Sequence, residues 1–535
     1  MIKQKNFLKY FIIITIILSL TGSSVLLFLT HNYKIGLSPD SVAYIAAARN
    51  IVNGNGAAVL YDKTGSQQLN LWAPMHENEV LHILPWPPLY PLALSLPLKL
   101  GFDIFESARW INILLFGIII FLISFIIYKL TNSYSLPIIS SLTLIFSKEL
   151  LHVFSMTWSE PLFFVAGFLG IYYLILFIKN EKNYNLIISA VFISFSFFTR
   201  TAGISFIALG IICILFFNKL KIARKLLNLI IFIIISCLPM ALWILRTKLI
   251  SGKTTAELAF HFPAKADLIE IPATISAWVF SGRIPQNIRI LGLVIIIIAI
   301  LSLFLILTIK YKNNQAVIKN QFNIKIIILL SIYMVLYFLT LFFSKTFFDA
   351  NVPLGNDRIL APVLIASIIN IFLFVKIIID VWGKLKSIKI LTYSLLGIFI
   401  LSYILSCFYG TLVRSIYYNG QGYSSSEWSN SETIKEIKKL TDSVQIYTNE
   451  PDAVYILADK NPIIFPAIES IYTKKKNLNH DKQLDLMIES AKLKKGIIVF
   501  FDLSWGFLDN EKEMINKYPL KLIKDTGDGA IYTVE

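Results

Sequence analysis

Eleven long apolar stretches divide this sequence, and their centres carry no charged residue. A helix crosses the hydrocarbon core of a bilayer, about 30 Å thick, with roughly 20 apolar residues. Only 15% of the residues are charged and mean hydropathy is +0.68, which excludes an ordinary soluble domain. We therefore predict an α-helical polytopic membrane protein with spans near 11–30, 109–128, 134–151, 161–178, 185–199, 202–218, 227–245, 289–309, 326–343, 359–379 and 390–410.

The net charge of +16 fits a membrane protein without a nucleic-acid partner. Lysine and arginine accumulate in cytoplasmic connections. With a cytoplasmic N-terminus, they are frequent near 179–182, 219–225, 310–325 and 384–389 and sparse in the short opposite connections. The basic segment 246–288 departs from this pattern, but long loops translocate largely regardless of charge. We expect a multi-pass protein of the cytoplasmic (inner) membrane with its C-terminus outside.

Composition changes abruptly after residue 413, which separates a membrane domain (1–413) from a tail (414–535). Residues 419–426 are rich in glycine and serine and are typical of a linker. Beyond them, apolar patterning predicts a small extracytoplasmic α/β domain. Its expected helices are 432–440, 452–458, 481–493 and 511–517, and its expected strands are 444–448, 496–501, 520–525 and 530–534. The three cysteines lie in apolar runs and indicate core residues.

The long first outer loop, about 31–108, begins with a helix signal. Ser38 suits the cap and Pro39 the first turn, and Asn53-Gly54 is a stop signal. Asp40 and Tyr44 are four residues apart and so share one helix face. A carboxylate in the first turn also complements the helix dipole, so a purely structural role for Asp40 stays open.

Further along the same loop lies a proline-rich aromatic segment, 82–91, that contains Trp86 and Tyr90. Proline does not continue a helix, so this segment is expected to be rigid and interfacial. It predicts either an aromatic belt or a wall for a sugar ring or a lipid chain.

Three further charged residues lie at outer span ends: Glu160, Arg200 and Arg358. Each alone is typical of a charged cap. Together with Asp40 they place two carboxylates and two guanidiniums on one membrane face. The planar donor fork of arginine suits phosphate, so the set indicates a phosphate-bearing substrate.

Five short motifs follow in a fixed order: Asp40-x-x-x-Tyr44, Pro87-Pro88-Leu89-Tyr90-Pro91, Ser159-Glu160-Pro161, Thr199-Arg200-x-x-Gly203 and Arg358-Ile359-Leu360-Ala361-Pro362. In this order the chain resembles the GT-C membrane glycosyltransferases. Among these, it is similar to the bacterial relatives of protein O-mannosyltransferases and of the lipid A aminoarabinose transferase. The resemblance covers about 1–413, and the tail resembles the outer α/β domain of some members less distinctively.

The resemblance implies transfer of a sugar from a polyprenyl-phosphate donor to a glycan, lipid or protein acceptor outside the membrane, with inversion. Asp40 takes the place of the catalytic carboxylate, and Glu160 shares that role or positions the acceptor. Arg200 and Arg358 would hold the phosphate. Tyr44, Trp86 and Tyr90 would contact substrate. Protein O-mannosyltransferases have two adjacent acids where this chain has Asp40-Ser41, so it departs from that subgroup.

A divalent metal cofactor stays open. The aminoarabinose transferases bind a metal with acid and histidine residues of this loop, and Glu77 and His82 are the candidates here. The spacing of histidine and glutamate over 76–82 matches no defined metal motif.

Three other functions remain. A transporter or lipid flippase usually keeps ionisable groups near mid-membrane, and the predicted span centres have none. An O-antigen ligase or polymerase needs a large late outer loop, and 344–358 is short. A non-catalytic membrane scaffold would use the tail to bind a partner.

Overall fold

The computed structural model describes residues 2–59, 81–82, 86–251, 258–309, 313–382, 415–470, 472–503 and 505–535, with isolated residues between 387 and 401. Up to residue 382 the described chain is almost entirely helical, as its apolar composition predicts. Its helices are α1 (Ile2–Leu29), α2 (Pro39–Val52), α3 (Leu89–Lys99), α4 (Ile104–Thr131), α5 (Ser135–Ile145), α6 (Lys148–Phe154), α7 (Glu160–Asn180), α8 (Asn183–Thr199), α9 (Ile204–Phe216), α10 (Ile222–Ser251), α11 (Lys265–Val279), α12 (Gln286–Ile309), α13 (Gln315–Lys319), α14 (Gln321–Phe347) and α15 (Asp357–Trp382).

Seven of the described helices are long and apolar enough to cross a membrane. They are α1, α4, α7, α10, α12, α14 and α15. The pair α5 and α6 passes the same test together but bends by 59°, so it is an eighth span or a re-entrant segment. The chain is therefore a multi-pass membrane protein.

The remaining predicted spans have different outcomes. Helices α8 and α9 match 185–199 and 202–218 but are short for a full crossing. The span near 390–410 lies mostly outside the described residues, so a total of eleven stays a prediction. The bend in 134–151 has a local cause that hydropathy does not reveal: the Ser147 hydroxyl accepts the Leu150 N–H at 3.3 Å and starts a new helix.

Small residues let the membrane helices approach closely. A Cβ at Gly167 of α7 would collide with the ring of Phe206 on α9, and one at Gly210 of α9 would collide with the ring of Phe232 on α10. Glycine at such positions allows dense packing of neighbouring helices. This packing fixes where the helix ends meet.

The tail forms the predicted small α/β domain. Its mixed sheet has the order β4 (Pro462–Ile464), β3 (Ile446–Thr448), β5 (Ile497–Phe501), β7 (Gly529–Val534), β6 (Leu520–Asp525). Strand β3 pairs in parallel with both β4 and β5, whereas β7 is antiparallel to β5 and β6. Its helices are α16 (Ser426–Asn430), α17 (Glu432–Lys438), α18 (Pro451–Ala458), α19 (His480–Leu493) and α20 (Glu511–Lys517). Every predicted element of the tail is present with ends shifted by at most two residues; α16 and β4 were not predicted. A separate two-residue pair, β1 (Ala58–Val59) and β2 (Leu81–His82), lies in the first loop.

The glycine-rich segment 419–426 does not behave as a free linker. The Leu37 N–H donates to Gln421 at 3.3 Å, and the Tyr423 N–H donates back to Leu37 at 3.0 Å. On the other side, Gly36 exchanges backbone hydrogen bonds with 155–157. Residues 35–37 therefore lie between 155–157 and 421–423, and we call these three segments the junction.

The tail domain also shares an apolar core with the first outer loop. Buried residues of α2 pack in one cluster with Ile434, Val454 and Phe501 of the tail. At the edge of this contact, Arg49 lies 5.4 Å over the Tyr455 ring. The helix that carries Asp40 is thus covered by the tail domain.

Candidate functional site

The predicted charged residues all lie at helix ends. Asp40 is the second residue of α2, Glu160 the first of α7, Arg200 directly follows α8, and Arg358 is the second residue of α15. Charged groups are costly inside a bilayer, so they collect where helices leave it. The four side chains meet at one end of the helical bundle, and we call them the charged cluster.

Glu160 lies at the centre of the charged cluster. Its side chain is only 2% exposed, and Arg200 Nη1 lies 2.8 Å from its Oε1. The Arg358 Nε donates to the same oxygen, and Arg358 Nη2 lies 3.3 Å from Oε2. A buried carboxylate is stable only when it is paired and hydrogen-bonded, and here two guanidiniums meet that need.

Asp40 is the more accessible carboxylate. Its side chain is 35% exposed, and its Oδ2 lies 2.6 Å from Arg358 Nη2. Arg358 thus bridges both carboxylates, while its guanidinium lies 4.1 Å over the Trp158 ring. The charges of the two carboxylates and the two guanidiniums balance. Asp40 lies at the accessible side of the charged cluster.

Aromatic side chains line the same place. The Tyr44 hydroxyl lies 3.1 Å from Ser159 Oγ, which also accepts from Arg200 Nη1 at 3.0 Å. The Tyr44 ring packs against Trp86 and Tyr90 at centroid distances of 5.4 and 5.2 Å. Burial raises the pKa of Tyr44 to about 12, so its phenol stays neutral near pH 7.

Tyr90 is fully buried against Tyr44. Its hydroxyl has no hydrogen-bond partner among the described residues. Burial also raises the pKa of Tyr90 well above its ordinary value. An unpaired buried hydroxyl beside a charged cluster is a ready partner for a polar group that enters there.

The junction fixes the relative position of the two carboxylates. Gly36 and Leu37 precede Asp40 by a few residues, and Thr157 likewise precedes Glu160, so their paired backbones set the start of α2 against that of α7. The Trp158 indole adds a side-chain tie, because it donates to Ser38 Oγ at 2.8 Å. Ser38 lies at the predicted N-cap position of α2, and its hydroxyl accepts the Trp158 hydrogen bond.

Two residues near Asp40 were missed by the sequence analysis. Asp349 follows α14, and burial raises its pKa, which the Asp40 charge raises further. Tyr472 belongs to the tail domain, and its carbonyl accepts from the Ala350 N–H at 3.0 Å. Asp349 had the same signal as Glu160, an acid at a span end. Tyr472 had none, because nothing in the sequence places a tail loop beside α14.

The metal candidates cannot be placed. Glu77 lies outside the described residues, and of His82 only the backbone is described. Within the described part of the chain, no group of three or more histidine, cysteine or acidic side chains is arranged to hold a metal ion. A metal site in the first loop stays a prediction. Of the cysteines, Cys213 and Cys237 are free.

The geometry combines three chemical capabilities. Asp40 is a partly exposed carboxylate that is accessible to a hydroxyl group. Arg200 and Arg358 present guanidiniums suited to phosphate oxygens. Tyr44, Trp86 and Tyr90 form an aromatic wall beside them. The structure brings five predicted residues together in one site: Asp40, Tyr44, Glu160, Arg200 and Arg358. Trp86 and Tyr90 pack against the Tyr44 ring of this site.

No family model matches the sequence, and no curated protein matches it. The solved structures that share its fold include the following two. One is ArnT, the lipid A aminoarabinose transferase, from Cupriavidus metallidurans bound to undecaprenyl phosphate, with a TM-score of 0.54 and 10% identity over 96% of this chain and 97% of that chain. The other is the archaeal oligosaccharyltransferase AglB from Archaeoglobus fulgidus, in complex with an inhibitory peptide and a dolichol-phosphate, with a TM-score of 0.51 and 10% identity over 97% of this chain and 74% of that chain.

Both neighbours belong to the GT-C superfamily. The likeness extends over almost the whole of this chain, tail domain included. The chain therefore has a GT-C-type membrane fold, which confirms the fold that the sequence resemblance implied.

Proposed function

We propose that this protein is a glycosyltransferase of the outer face of the cytoplasmic membrane. It moves a hexosyl or pentosyl group from a polyprenyl-phosphate donor to a hydroxyl of a glycan, lipid or protein acceptor. The observation that carries the proposal is the charged cluster itself, an accessible carboxylate bridged by one arginine to a buried Glu160–arginine pair. The two fold neighbours were solved with undecaprenyl phosphate and with a dolichol-phosphate, which supports a lipid phosphate as the donor.

Asp40 serves as the base. The acceptor oxygen attacks the anomeric carbon while Asp40 takes the hydroxyl proton. The bond from that carbon to the phosphate oxygen breaks, and polyprenyl phosphate leaves with the electron pair. Attack from the side opposite the phosphate inverts the anomeric centre. A positioned base typically contributes about 10²–10⁴-fold to such a step.

Arg358 and Arg200 stabilise the departing phosphate. In the resting site Arg358 Nη2 contacts Asp40 at 2.6 Å. A donor phosphate that enters competes for this guanidinium, and its binding releases Asp40 to act as base. Cations placed where charge develops lower the barrier most effectively when they are held in advance. Glu160 holds both guanidiniums and is shielded from the acceptor, so it serves as a positioning residue.

The rival transport function has less support. A transporter usually carries its substrate-coupled charges near mid-membrane. The charged cluster lies at helix ends. Other described ion pairs on spanning helices are also near helix ends: Arg109–Glu106 at 3.2 Å on α4, Lys345–Asp267 at 3.1 Å on α14 and Lys376–Asp380 at 2.5 Å on α15.

Mass spectrometry of envelope glycolipids and glycoproteins tests the proposal. Cells with and without the protein are compared, and the Asp40→Asn variant is added as a third sample. We expect one glycan, lipid or protein to carry a sugar only when the unaltered protein is present. Identical profiles in all three samples, with the protein expressed and folded, would contradict the proposal.

A further inference from the structure

The strand order of the tail domain creates a topological switch point. Strand β3 has β4 on one side and β5 on the other, and it is parallel to both. The chain leaves β3 to build β4 on one side and then returns to build β5 on the opposite side. In open α/β sheets, ligands bind in the crevice outside the carboxyl ends of strands at such a point.

A cavity of about 460 Å³ lies at that edge. It is lined by Asn449 after β3, by Asp502 and Leu503 after β5, and by Trp505. Pockets that bind small ligands have volumes of about 300–1,000 Å³, so this one accepts one or two sugar rings. Its other walls come from the turn between β6 and β7 and from the start of α20.

Internal hydrogen bonds hold the shape of the crevice. Asn449 Nδ2 donates to the carbonyls of Phe501 and Leu503 at 3.0 and 3.1 Å, and its Oδ1 accepts from the Phe501 N–H at 2.9 Å. The Trp505 indole donates to the buried carboxylate of Glu450. This hydrogen bond fixes the orientation of the Trp505 ring. The residue is 39% exposed, so it offers a ring face for stacking.

The carboxylates of the crevice suit the hydroxyl groups of a polyhydroxylated ligand. Three of its four carboxylates already have partners. Asp509 lies 2.7 Å from His480, Glu511 accepts from the Tyr532 hydroxyl, and Asp525 accepts from the Gly527 N–H. These groups retain lone pairs for hydroxyl donors, and Lys512 adds a donor in the same wall.

Hydrogen bonds connect the crevice to the junction. The Trp505 indole and the Tyr423 hydroxyl both donate to Glu450, and the Tyr423 N–H donates to the Leu37 carbonyl, three residues before Asp40. On a neighbouring loop of the tail, the Tyr472 carbonyl accepts from the Ala350 N–H at 3.0 Å. These contacts tie a wall of the crevice to the segment that leads into α2.

We propose that the crevice at the carboxyl ends of β3 and β5 binds the sugar portion of the acceptor, with Trp505 as the stacking surface and Asp502 and Lys512 at its polar rim. This inference rests on the proposed glycosyltransferase function. It assigns the acceptor to the class of sugar-bearing molecules. The tail domain then has a binding role, and the membrane domain carries the chemistry.

A binding experiment on the full chain in lipid nanodiscs tests the crevice directly. The protein is labelled with 5-fluorotryptophan, and the Trp505→Phe variant identifies the ¹⁹F resonance of Trp505. Methyl glucoside, methyl galactoside and N-acetylglucosamine are titrated to well above the about millimolar Kd expected for a small ligand. We expect at least one sugar to shift the Trp505 resonance saturably. A shift with tetralysine alone would overturn the proposal in favour of a basic peptide, and no shift with any probe would overturn it outright.

A turnover experiment separates this inference from the proposed function. Donor hydrolysis, which needs no acceptor, measures the charged cluster, and transfer to the best-binding sugar measures the crevice. Trp505→Ala should raise KM for that sugar about tenfold. Leu493→Ala, an exposed apolar change near the amino end of β5, is the matched control and should alter neither reaction. Equal losses of hydrolysis and transfer in Trp505→Ala would contradict a crevice role. An unaltered protein that consumes no donor would instead contradict the proposed function and leave the binding result intact.

Discussion

At the scale of single residues, burial distinguishes Asp40 from Glu160, although both have the same sequence signal, an acid in the first turn of a helix. Glu160 is 2% exposed between two guanidiniums, whereas Asp40 is 35% exposed and touches one. Removal of one partner from a buried ion pair costs about 3–5 kcal/mol, while an exposed pair contributes about 1 kcal/mol or less. This difference supports the proposed division of roles, in which Glu160 positions the two arginines and Asp40 takes the proton.

The Arg358→Ala variant tests the phosphate role. We expect it to weaken use of the polyprenyl-phosphate donor by about 10²-fold, because a preorganised cation at the leaving group is lost. The effect on KM for the acceptor should be much smaller. Steady-state kinetics with each substrate varied in turn provide the measurement, with the exposed Arg283→Ala as control. Equal losses for donor and acceptor would speak against a phosphate contact.

Glu450 gives a prediction for pH dependence. Burial raises its pKa, although the Trp505 and Tyr423 side chains donate to it. The folded state then holds a proton more readily than the unfolded chain. Its contribution to stability is therefore fully present below the unfolded pKa of about 4.3 and is lost as pH rises through the raised pKa.

The Glu450→Gln variant should remove this dependence, because glutamine does not ionise and keeps the same shape. Thermal unfolding of both proteins is measured from about pH 4 to about pH 8. The unaltered protein should lose stability relative to the variant as pH rises. Parallel curves would show that Glu450 titrates alike in the folded and unfolded states.

At the scale of structural elements, the junction aligns the starts of α2 and α7 against the tail. Gly422 has φ +55, and a Cβ there would collide with the carbonyl oxygen of Leu37. Glycine adopts this left-handed backbone with the least strain. A side chain at Gly422 would push Leu37, and with it Asp40, away from Glu160.

The Gly422→Ala variant should therefore lower the rate of sugar transfer more than its loss of thermal stability explains. The collision displaces Leu37, which precedes Asp40 by three residues in the sequence. Gly282→Ala is the matched control, because its Cβ would meet no atom within 4 Å. Transfer rate and Tm are measured for both variants. Unchanged transfer in Gly422→Ala would show that the junction does not position Asp40.

Sequence patterns predicted the elements better than their contacts. The apolar stretches gave the helices, and the helix signal at 38–41 gave α2, because capping and hydropathy are local properties. The convergence of Asp40, Glu160 and Arg358 was predictable, since the alternation of spans places their ends on one face. The bend after Ile145, the locked segment 419–426 and the approach of Tyr472 depend on distant packing, which no local pattern encodes.

At the scale of the whole molecule, the membrane and tail domains pack together around α2. The apolar core under α2 contains residues of both, and Tyr472 reaches the loop after α14. The tail domain therefore covers the end of the helical bundle at which the charged cluster lies. This arrangement requires the tail and Asp40 to lie on the same side of the membrane.

Cysteine labelling tests that orientation. Lys475→Cys, exposed in the tail, should react with a membrane-impermeant maleimide added to intact cells. Lys221→Cys, exposed between α9 and α10, should react only after the cells are lysed. Cys213 and Cys237 lie within apolar helices, and the unaltered protein measures their background. The reverse labelling pattern would place the charged cluster in the cytoplasm and contradict a site at the outer face.

The most direct measurement is sugar transfer from a polyprenyl-phosphate donor by the reconstituted Asp40→Asn variant. Glu106→Gln is the matched control, since Glu106 is also a first-turn acid, is 34% exposed and pairs with an arginine at 3.2 Å. We predict that Asp40→Asn loses about 10²–10⁴-fold in rate with a nearly unchanged Tm, because the base is lost and the shape is kept. Glu106→Gln should retain its rate. Full transfer by a folded Asp40→Asn protein would contradict the account.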